Sequence, residues 1–132
     1  MATIADLIGK TFERVVRDDD GGRLAFVLPD GSAYVMFHYQ DCCEHVYLED
    51  VVGNLDDLAG AEILRASEDT NSDEPAKEHY DDCFQWTFYN ITSTKGTVTL
   101  RWYGESNGYY SVSVDMELTK PGTWSEAIIA GK

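Results

Sequence analysis

Residues 83–92, Cys-Phe-Gln-Trp-Thr-Phe-Tyr-Asn-Ile-Thr, decide the fold that the sequence predicts. Bulky and polar side chains alternate along this stretch, and they alternate again along 97–104 and 109–118. A period of two is the pattern of a β-strand with one buried face. The joints between the three stretches, Thr94-Lys95-Gly96 and Asn107-Gly108, have the composition of tight hairpin turns. The last third of the chain therefore predicts a three-stranded antiparallel meander.

One face of this meander is expected to form the hydrophobic core, because a two-sided strand buries its bulky residues on one side. The residues assigned to that face are Trp86, Phe88, Val98, Leu100, Trp102, Tyr110, Val112, Val114 and Met116.

The rest of the chain adds short strands and helical turns. Apolar spacing predicts a helical turn over 4–8, and strand composition marks 11–17, 23–28, 32–39 and 45–51. A second helical turn is predicted between Gly53 and Gly60, with Asn54 as its cap. Residues 61–67 favour a strand. The predicted class is α+β: a mostly antiparallel β-sheet of about seven short strands with one or two short helices.

At 132 residues the chain is expected to be a single domain, 1–132, that buries a real core. Residues 68–82 are polar and strongly acidic, which predicts a mobile surface loop. The C-terminal tail, 119–132, is expected either to dock as a short helix or to be disordered.

The formal net charge of −14 is concentrated in the middle of the chain. Residues 41–82 contain fourteen acidic side chains and only Arg65 and Lys77 as bases, a net charge of −12. Such a run either keeps molecules apart in solution or meets a basic partner. It disfavours direct nucleic-acid binding, which needs basic residues to neutralise phosphates.

Four classes of protein are disfavoured by missing features: membrane-spanning proteins, secreted proteins, disulfide-framework proteins and enzymes. No apolar run reaches the roughly 20 residues of a membrane span, and no basic region followed by an apolar one marks a secretory signal. The three cysteines, two of them adjacent, do not make a disulfide framework, so reduced thiols in the cytosol are expected. No phosphate-binding loop, nucleophile elbow or zinc-protease motif is present, so no enzyme is predicted.

The stretch His38-Tyr39-Gln40-Asp41-Cys42-Cys43-Glu44-His45 gathers the side chains with the most chemistry. Zinc could be held by Cys42, Cys43 and one or both of His38 and His45, although adjacent cysteines are poor joint ligands. A reactive cysteine is disfavoured because Asp41 and Glu44 would raise the thiol pKa. The favoured interpretation is a structural turn that presents carboxylates. No cofactor is predicted, with zinc as the minority alternative.

Two further groups are candidates for contact with a partner. Paired carboxylates occur at Glu49-Asp50 and Asp56-Asp57, and exposed aromatic side chains could occur at the hairpin tip formed by Tyr109 and Tyr110. Solvation of the acids and packing of the tyrosines are the simpler alternatives. The predicted partner-binding residues are Asp41, Glu44, Glu49, Asp50, Asp56, Asp57, Tyr109 and Tyr110.

Three blocks of sequence resemble a family of small, uncharacterised proteins found mainly in bacteriophages. They are His38-x-Gln40-Asp41-Cys42-Cys43-Glu44 with Val46, then Asp56-Asp57-Leu58-x-Gly60, and finally a set running from Trp86-Thr87-Phe88-Tyr89 through Lys95-Gly96 and Arg101-Trp102-x-Gly104 to 106–111. The resemblance covers most of 10–117. It implies a phage or prophage setting and a protein working in the cytoplasm of a bacterial host, and it implies no activity.

The sequence thus predicts an acidic interaction protein that inhibits a host factor. A plausible target is a nucleic-acid-binding component of a defence system such as CRISPR, bound by mimicry of nucleic acid. The partner is expected to be a host protein with a basic surface, with no membrane involved. The alternative is a small-ligand or metal-binding module centred on the His38–His45 turn.

Overall fold

The computed structural model describes residues 2–17, 22–38, 45–71, 83–106 and 114–119. These residues form eight strands in two four-stranded sheets, and every strand pairing is antiparallel. The first sheet has the order β1-β2-β3-β8, with β1 at Arg14–Arg17, β2 at Leu24–Val27, β3 at Ala33–Phe37 and β8 at Asp115–Thr119. The second has the order β4-β7-β6-β5, with β4 at His45–Val52, β5 at Ile63–Asn71, β6 at Cys83–Ser93 and β7 at Gly96–Ser106.

One hydrophobic core joins the two sheets. Its largest fully buried side chains include Phe26 and Met36 of the first sheet and Leu100 and Trp102 of the second. Phe12, which precedes β1, is also fully buried there, with its ring 5.4 Å from that of Phe26. The two sheets therefore stabilise each other through the apolar area that they bury together.

The mostly antiparallel β-sheet is confirmed, but the helical part of the α+β prediction is wrong for the described residues. The two predicted helical turns are present only as 3₁₀ turns, at Ile4–Leu7 and Leu55–Leu58. In the first, the Asp6 carboxylate accepts a hydrogen bond of 2.9 Å from the Thr3 backbone N–H. In the second, the Asn54 side chain accepts one of 3.0 Å from the Asp56 N–H, as expected for a cap. Four residues are too few for a stable α-helix, so packing holds each turn in place.

The predicted three-stranded meander is correct for its hairpin β6–β7 and wrong for its third strand. Asp115–Thr119 pairs with β3 in the first sheet, and β4 takes the position beside β7. Alternation shows that a segment is a strand but does not specify its neighbour. The strand count of eight exceeds the expected seven for this described part of the chain. The predicted turn at Asn107-Gly108 lies outside the described residues.

The predicted core face of β6 is also wrong. In the observed register Tyr89 lies opposite Leu100 and Thr87 lies opposite Trp102, so these side chains share the core face. Trp86 and Phe88 lie on the opposite face, although Trp86 is buried there and only 4% exposed. There the Trp86 ring lies 4.6 Å from that of Tyr103. Alternation separates the two faces of β6 but does not indicate which of them packs against the other sheet.

Strand β5 corrects the prediction of a mobile loop that begins at residue 68. The strand extends to Asn71, with Glu68 opposite Tyr89 and Asp69 opposite Phe88. A cross-strand partner satisfies the backbone of these acidic residues, which a composition argument does not foresee. The remainder of that predicted loop, 72–82, lies outside the described residues. So does the predicted tail except for Thr119, which belongs to β8 and donates a side-chain hydrogen bond to the Ala33 carbonyl.

Candidate functional site

A cavity of about 200 Å³ lies at the side of the sandwich, where β5 and β6 of one sheet approach β8 of the other. The first residues of the chain cross this side, since the Ala2 N–H donates to the Met116 carbonyl and the Lys10 carbonyl accepts from the Ile63 N–H. The cavity is lined by Ala2, Thr3, Ile4, Glu68, Tyr89, Val114, Asp115 and Met116. Its polar wall thus contains two carboxylates and one phenol.

Tyr89 and Glu68 form the central contact of this wall. They are directly opposite in the β5–β6 register, and the Tyr89 hydroxyl donates a hydrogen bond of 3.0 Å to Glu68 Oε2. Tyr89 is only 3% exposed. Burial, followed by the nearby negative charge of Glu68 and Asp115, raises the pKa of Tyr89 well above its usual value. The phenol therefore remains protonated and acts as a donor that holds the carboxylate in position.

Asp115 supplies the second carboxylate from the first residue of β8. Its Oδ2 atom lies 3.9 Å from Nδ1 of His38, which follows β3 and whose side chain is 4% exposed. The predicted metal ligand His38 is therefore packed beside a carboxylate in the interior. The acceptors of Glu68 and Asp115 give the cavity the chemistry to hold a positively charged group.

The predicted metal ligands at 38–45 cannot be evaluated together. Asp41, Cys42, Cys43 and Glu44 lie outside the described residues. His45 begins β4 in the second sheet, where its ring lies 4.7 Å from that of Tyr47, whereas His38 follows a strand of the first sheet. Over the residues that the structure describes, no group of three or more His, Cys, Asp or Glu side chains could hold a metal ion. The zinc hypothesis stays a prediction.

The four described acidic contact residues lie in two separate places: Glu49 and Asp50 on β4, and Asp56 and Asp57 in the second 3₁₀ turn. Asp50 lies opposite Arg101 in β7, while a Cβ on Gly96 in the same strand would lie 3.7 Å from Asp57 Oδ2. Five residues of β7 separate these two levels, or about 17 Å at 3.3–3.4 Å per residue. This distance exceeds the screening length of about 8 Å in physiological salt, so the two acidic pairs do not form one concentrated patch.

Local structure further distinguishes the four acids. Glu49 is the extra residue of a β-bulge between Leu48 and Asp50, and its Oε2 atom is buried, so it presents less charge to solvent. Asp50 is exposed and accepts a hydrogen bond of 2.8 Å from the Val51 N–H. Asp56 is exposed, and Asp57 is half-buried. The other four predicted contact residues, Asp41, Glu44, Tyr109 and Tyr110, lie outside the described part of the chain.

Sequence reasoning missed three residues of the cavity: Glu68, Tyr89 and Asp115. Glu68 was assigned to a loop, and Asp115 was assigned to the meander of the other sheet. The alternation along 83–92 contains the signal that Tyr89 lies on the face opposite to Trp86 and Phe88, but only the register shows that this face is the core. No sequence pattern brings 68, 89 and 115 together, because they come from strands of two sheets.

None of the helices in the described ranges is long and apolar enough to cross a membrane. Comparison with curated proteins and with solved structures gives no match. A family model described as a domain of unknown function, DUF7448, matches residues 5–116. This span includes seven strands, the start of β8 and the cavity residues other than Ala2, Thr3 and Ile4. Because the match covers most of the chain, the chain belongs to the DUF7448 family.

Proposed function

We propose that this protein is an acidic binding protein that recognises a basic surface on another protein and performs no chemistry of its own. The observation that carries the proposal is the location of the acidic third of the chain. Within residues 41–82, the described parts form β4, the second 3₁₀ turn and β5. β4 and β5 are the two edge strands of one sheet. The negative charge therefore lies on both margins of that sheet and on the connection between them.

The centre of the same sheet has a different charge. The central hairpin β6–β7 contains Lys95, Arg101 and Glu105 as its charged side chains and has a net charge of +1. By contrast, the acidic third has seven described acids against Arg65 alone. Glu49 and Asp50 lie on β4, Glu68 and Asp69 lie on β5, and the connection between these strands contains Asp56, Asp57 and Glu62. Separated negative margins provide an extended field that speeds encounter with a basic partner and selects against acidic ones.

The phage setting implied by the sequence resemblance supports a more specific form of the proposal. The partner would be a host protein of a bacterium, such as a nucleic-acid-binding component of a defence system, whose basic channel the acidic margins would occupy. Two negative lines on one sheet support such mimicry of nucleic acid, because a duplex also presents two lines of negative charge.

The test is capture of partners from bacterial lysate with purified protein on a column. We expect a basic or nucleic-acid-binding protein to be retained at low salt, about 50 mM, and released as screening shortens the range of the charges. Failure to recover such a partner at low salt contradicts the proposal.

Matched charge variants sharpen the experiment. The variant Asp56→Asn, Glu62→Gln, Asp69→Asn neutralises three exposed acids, one on β5 and two on the connection that leads into it. The control Asp18→Asn, Asp19→Asn, Asp20→Asn removes the same charge outside the acidic third. We expect the first to weaken retention more than the second. Equal weakening would mean that total charge, and not the margins of the sheet, governs binding.

A further inference from the structure

The sheet edges differ in their capacity to accept another strand. β1 and β8 are four and five residues long, and Ala2 already pairs with Met116 on β8. The edge of β4 is interrupted near its middle by the bulge at Glu49. The irregularity of β5 lies at its start, between Ile63 and Arg65, so seven residues from Arg65 to Asn71 follow in regular register with β6. Bulges and short length are how proteins block edges, and β5 lacks both protections over this length.

The outer edge of β5 is covered at its start. The first 3₁₀ turn packs against β5, and Gly9 and Lys10 form backbone hydrogen bonds with its first residue, Ile63. No described strand pairs with the edge from Arg65 to Asn71, a length of about 23 Å. All the side chains from Arg65 to Thr70 are exposed except that of Ala66, which is half-buried. Within the described residues, the outward backbone N–H and C=O groups of this stretch therefore have no partner strand, and they could pair with an added one.

This edge borders the cavity between the sheets. Glu68 belongs to the edge strand and to the cavity wall, because it lies in the middle of the regular part of β5 and lines the cavity beside Tyr89. An added strand directs alternate side chains to the same side of the sheet as Glu68. A volume of about 200 Å³ is below the roughly 300–1,000 Å³ of small-molecule sites, and it suits one side chain of a peptide.

The charges select the kind of side chain. Glu68 and Asp115 provide carboxylates on two walls, and Tyr89 binds one oxygen of Glu68, Oε2, which leaves Oε1 for another donor. Further acids, Asp69 on β5 and five within 72–82, follow in sequence with Lys77 as the only lysine or arginine. A second copy of this chain would bring like charges together along β5, whereas a basic segment would complement them.

We propose that an extended segment of the partner adds as a strand to the free edge of β5 and inserts one lysine or arginine side chain into the cavity between Glu68 and Asp115. Main-chain hydrogen bonds then supply affinity, and the cavity supplies selectivity for a cation. This inference rests on the proposed function and names the segment of the partner and the place where it binds.

The experiment uses the full chain and defined peptides. The probe is a capped nine-residue peptide in which threonine and valine alternate around one central lysine. One control peptide replaces the lysine by norleucine. Two further control peptides carry N-methyl groups on alternate backbone nitrogens, the first along one edge of the peptide and the second along the other edge. Binding is measured by titrating the peptide into the protein and following the NMR signals of the backbone amides of 65–71. The hydrogen exchange of the same amides is measured by NMR as well.

We expect the lysine peptide to shift and protect amides of β5. Loss of one charged hydrogen bond corresponds to a weakening of about 10-fold or more, so the norleucine peptide and the variant Glu68→Gln should each show it. The matched variant Asp69→Asn loses the same charge on the opposite face of the same strand and should weaken binding by less than about 3-fold. One of the N-methyl patterns should abolish binding, because it removes the donors that face β5.

Three results would overturn the inference: equal effects of the two charge variants, equal binding of both N-methylated peptides and the parent, or dimerisation of the chain through β5 in the absence of peptide. If basic partners are still retained from lysate in a salt-dependent manner, the proposed function stands and only the strand addition fails. Circular dichroism of both variants establishes that they fold alike.

Discussion

Stability at alkaline pH provides a direct test of the environment of Tyr89. The unfolded chain exposes its tyrosines, which ionise with a pKa of about 10. In the folded protein, burial and the carboxylates of Glu68 and Asp115 raise the pKa of Tyr89 far above that value. Between the two values the unfolded state loses a proton that the folded state retains. The contribution of Tyr89 is therefore fully present below pH 10 and is lost progressively as the pH rises above it.

The magnitude follows from the number of protons involved. One proton retained by the folded state lowers the free energy of unfolding by about 1.4 kcal/mol for each pH unit above 10. At pH 11.5 the accumulated loss is about 2 kcal/mol. Other ionising groups add their own slopes, so the measurement compares the wild type with Tyr89→Phe, which retains the ring and lacks the titrating hydroxyl.

The assay is urea denaturation followed by tryptophan fluorescence at several pH values from 8 to about 11.5. We expect the wild type to lose about 2 kcal/mol more than Tyr89→Phe over this range. Parallel loss of stability in the two proteins would refute the reasoning, because it would mean that Tyr89 ionises equally easily in the folded and unfolded states. It would also remove the phenol as a fixed donor to Glu68.

Three other predictions concern the same sandwich. Leu100→Ala should lower the free energy of unfolding by about 2–5 kcal/mol because Leu100 is fully buried. Leu64→Ala, at a side chain that is 48% exposed, should lower it by less than about 1 kcal/mol. Urea denaturation measures both losses, and equal losses would contradict the assigned core. Gly53→Ala should cost more than about 1 kcal/mol, because Gly53 has φ +113° and its Cβ would lie 3.1 Å from the Thr97 carbonyl oxygen; an unchanged melting temperature would show that this turn is placed differently. A double-mutant cycle with Glu68→Gln and Tyr89→Phe should give a coupling energy of about 1 kcal/mol at neutral pH, and a value near zero would mean that the 3.0 Å contact does not persist in solution.

Local sequence patterns located most strands correctly. Alternation marked β6 and β7, and the turn residues Thr94-Lys95-Gly96 marked the joint between them. Pro29-Asp30-Gly31, between β2 and β3, has the same turn composition. In that joint the Asp30 carboxylate accepts a hydrogen bond of 2.9 Å from the Ser32 N–H. Hydrogen bonds from the Ser32 hydroxyl and backbone hold the pKa of Asp30 below its usual value. These features were predictable because they depend on residues a few positions apart.

Bulges explain one ambiguity in the sequence. Ile63 and Leu64 are adjacent apolar residues, which fits neither a strand nor a helix with one buried face. In the structure the register of β5 shifts between Ile63 and Arg65, Ile63 is fully buried and Leu64 is 48% exposed. An irregularity of this kind changes which side chain faces the core, so a period-based prediction fails there.

The sequence alone determined that the chain forms a mostly antiparallel β-protein, that its negative charge is concentrated in residues 41–82, and that its hairpins lie where the turn residues occur. These properties follow from period, composition and local backbone preference. Only the tertiary structure decided that β8 leaves the meander for the first sheet, that Tyr89 and not Trp86 faces the core, and that Glu68, Tyr89 and Asp115 meet at one cavity. The reason is physical: alternation fixes the two faces of a strand, whereas its neighbour and register depend on contacts between residues that are distant in the chain.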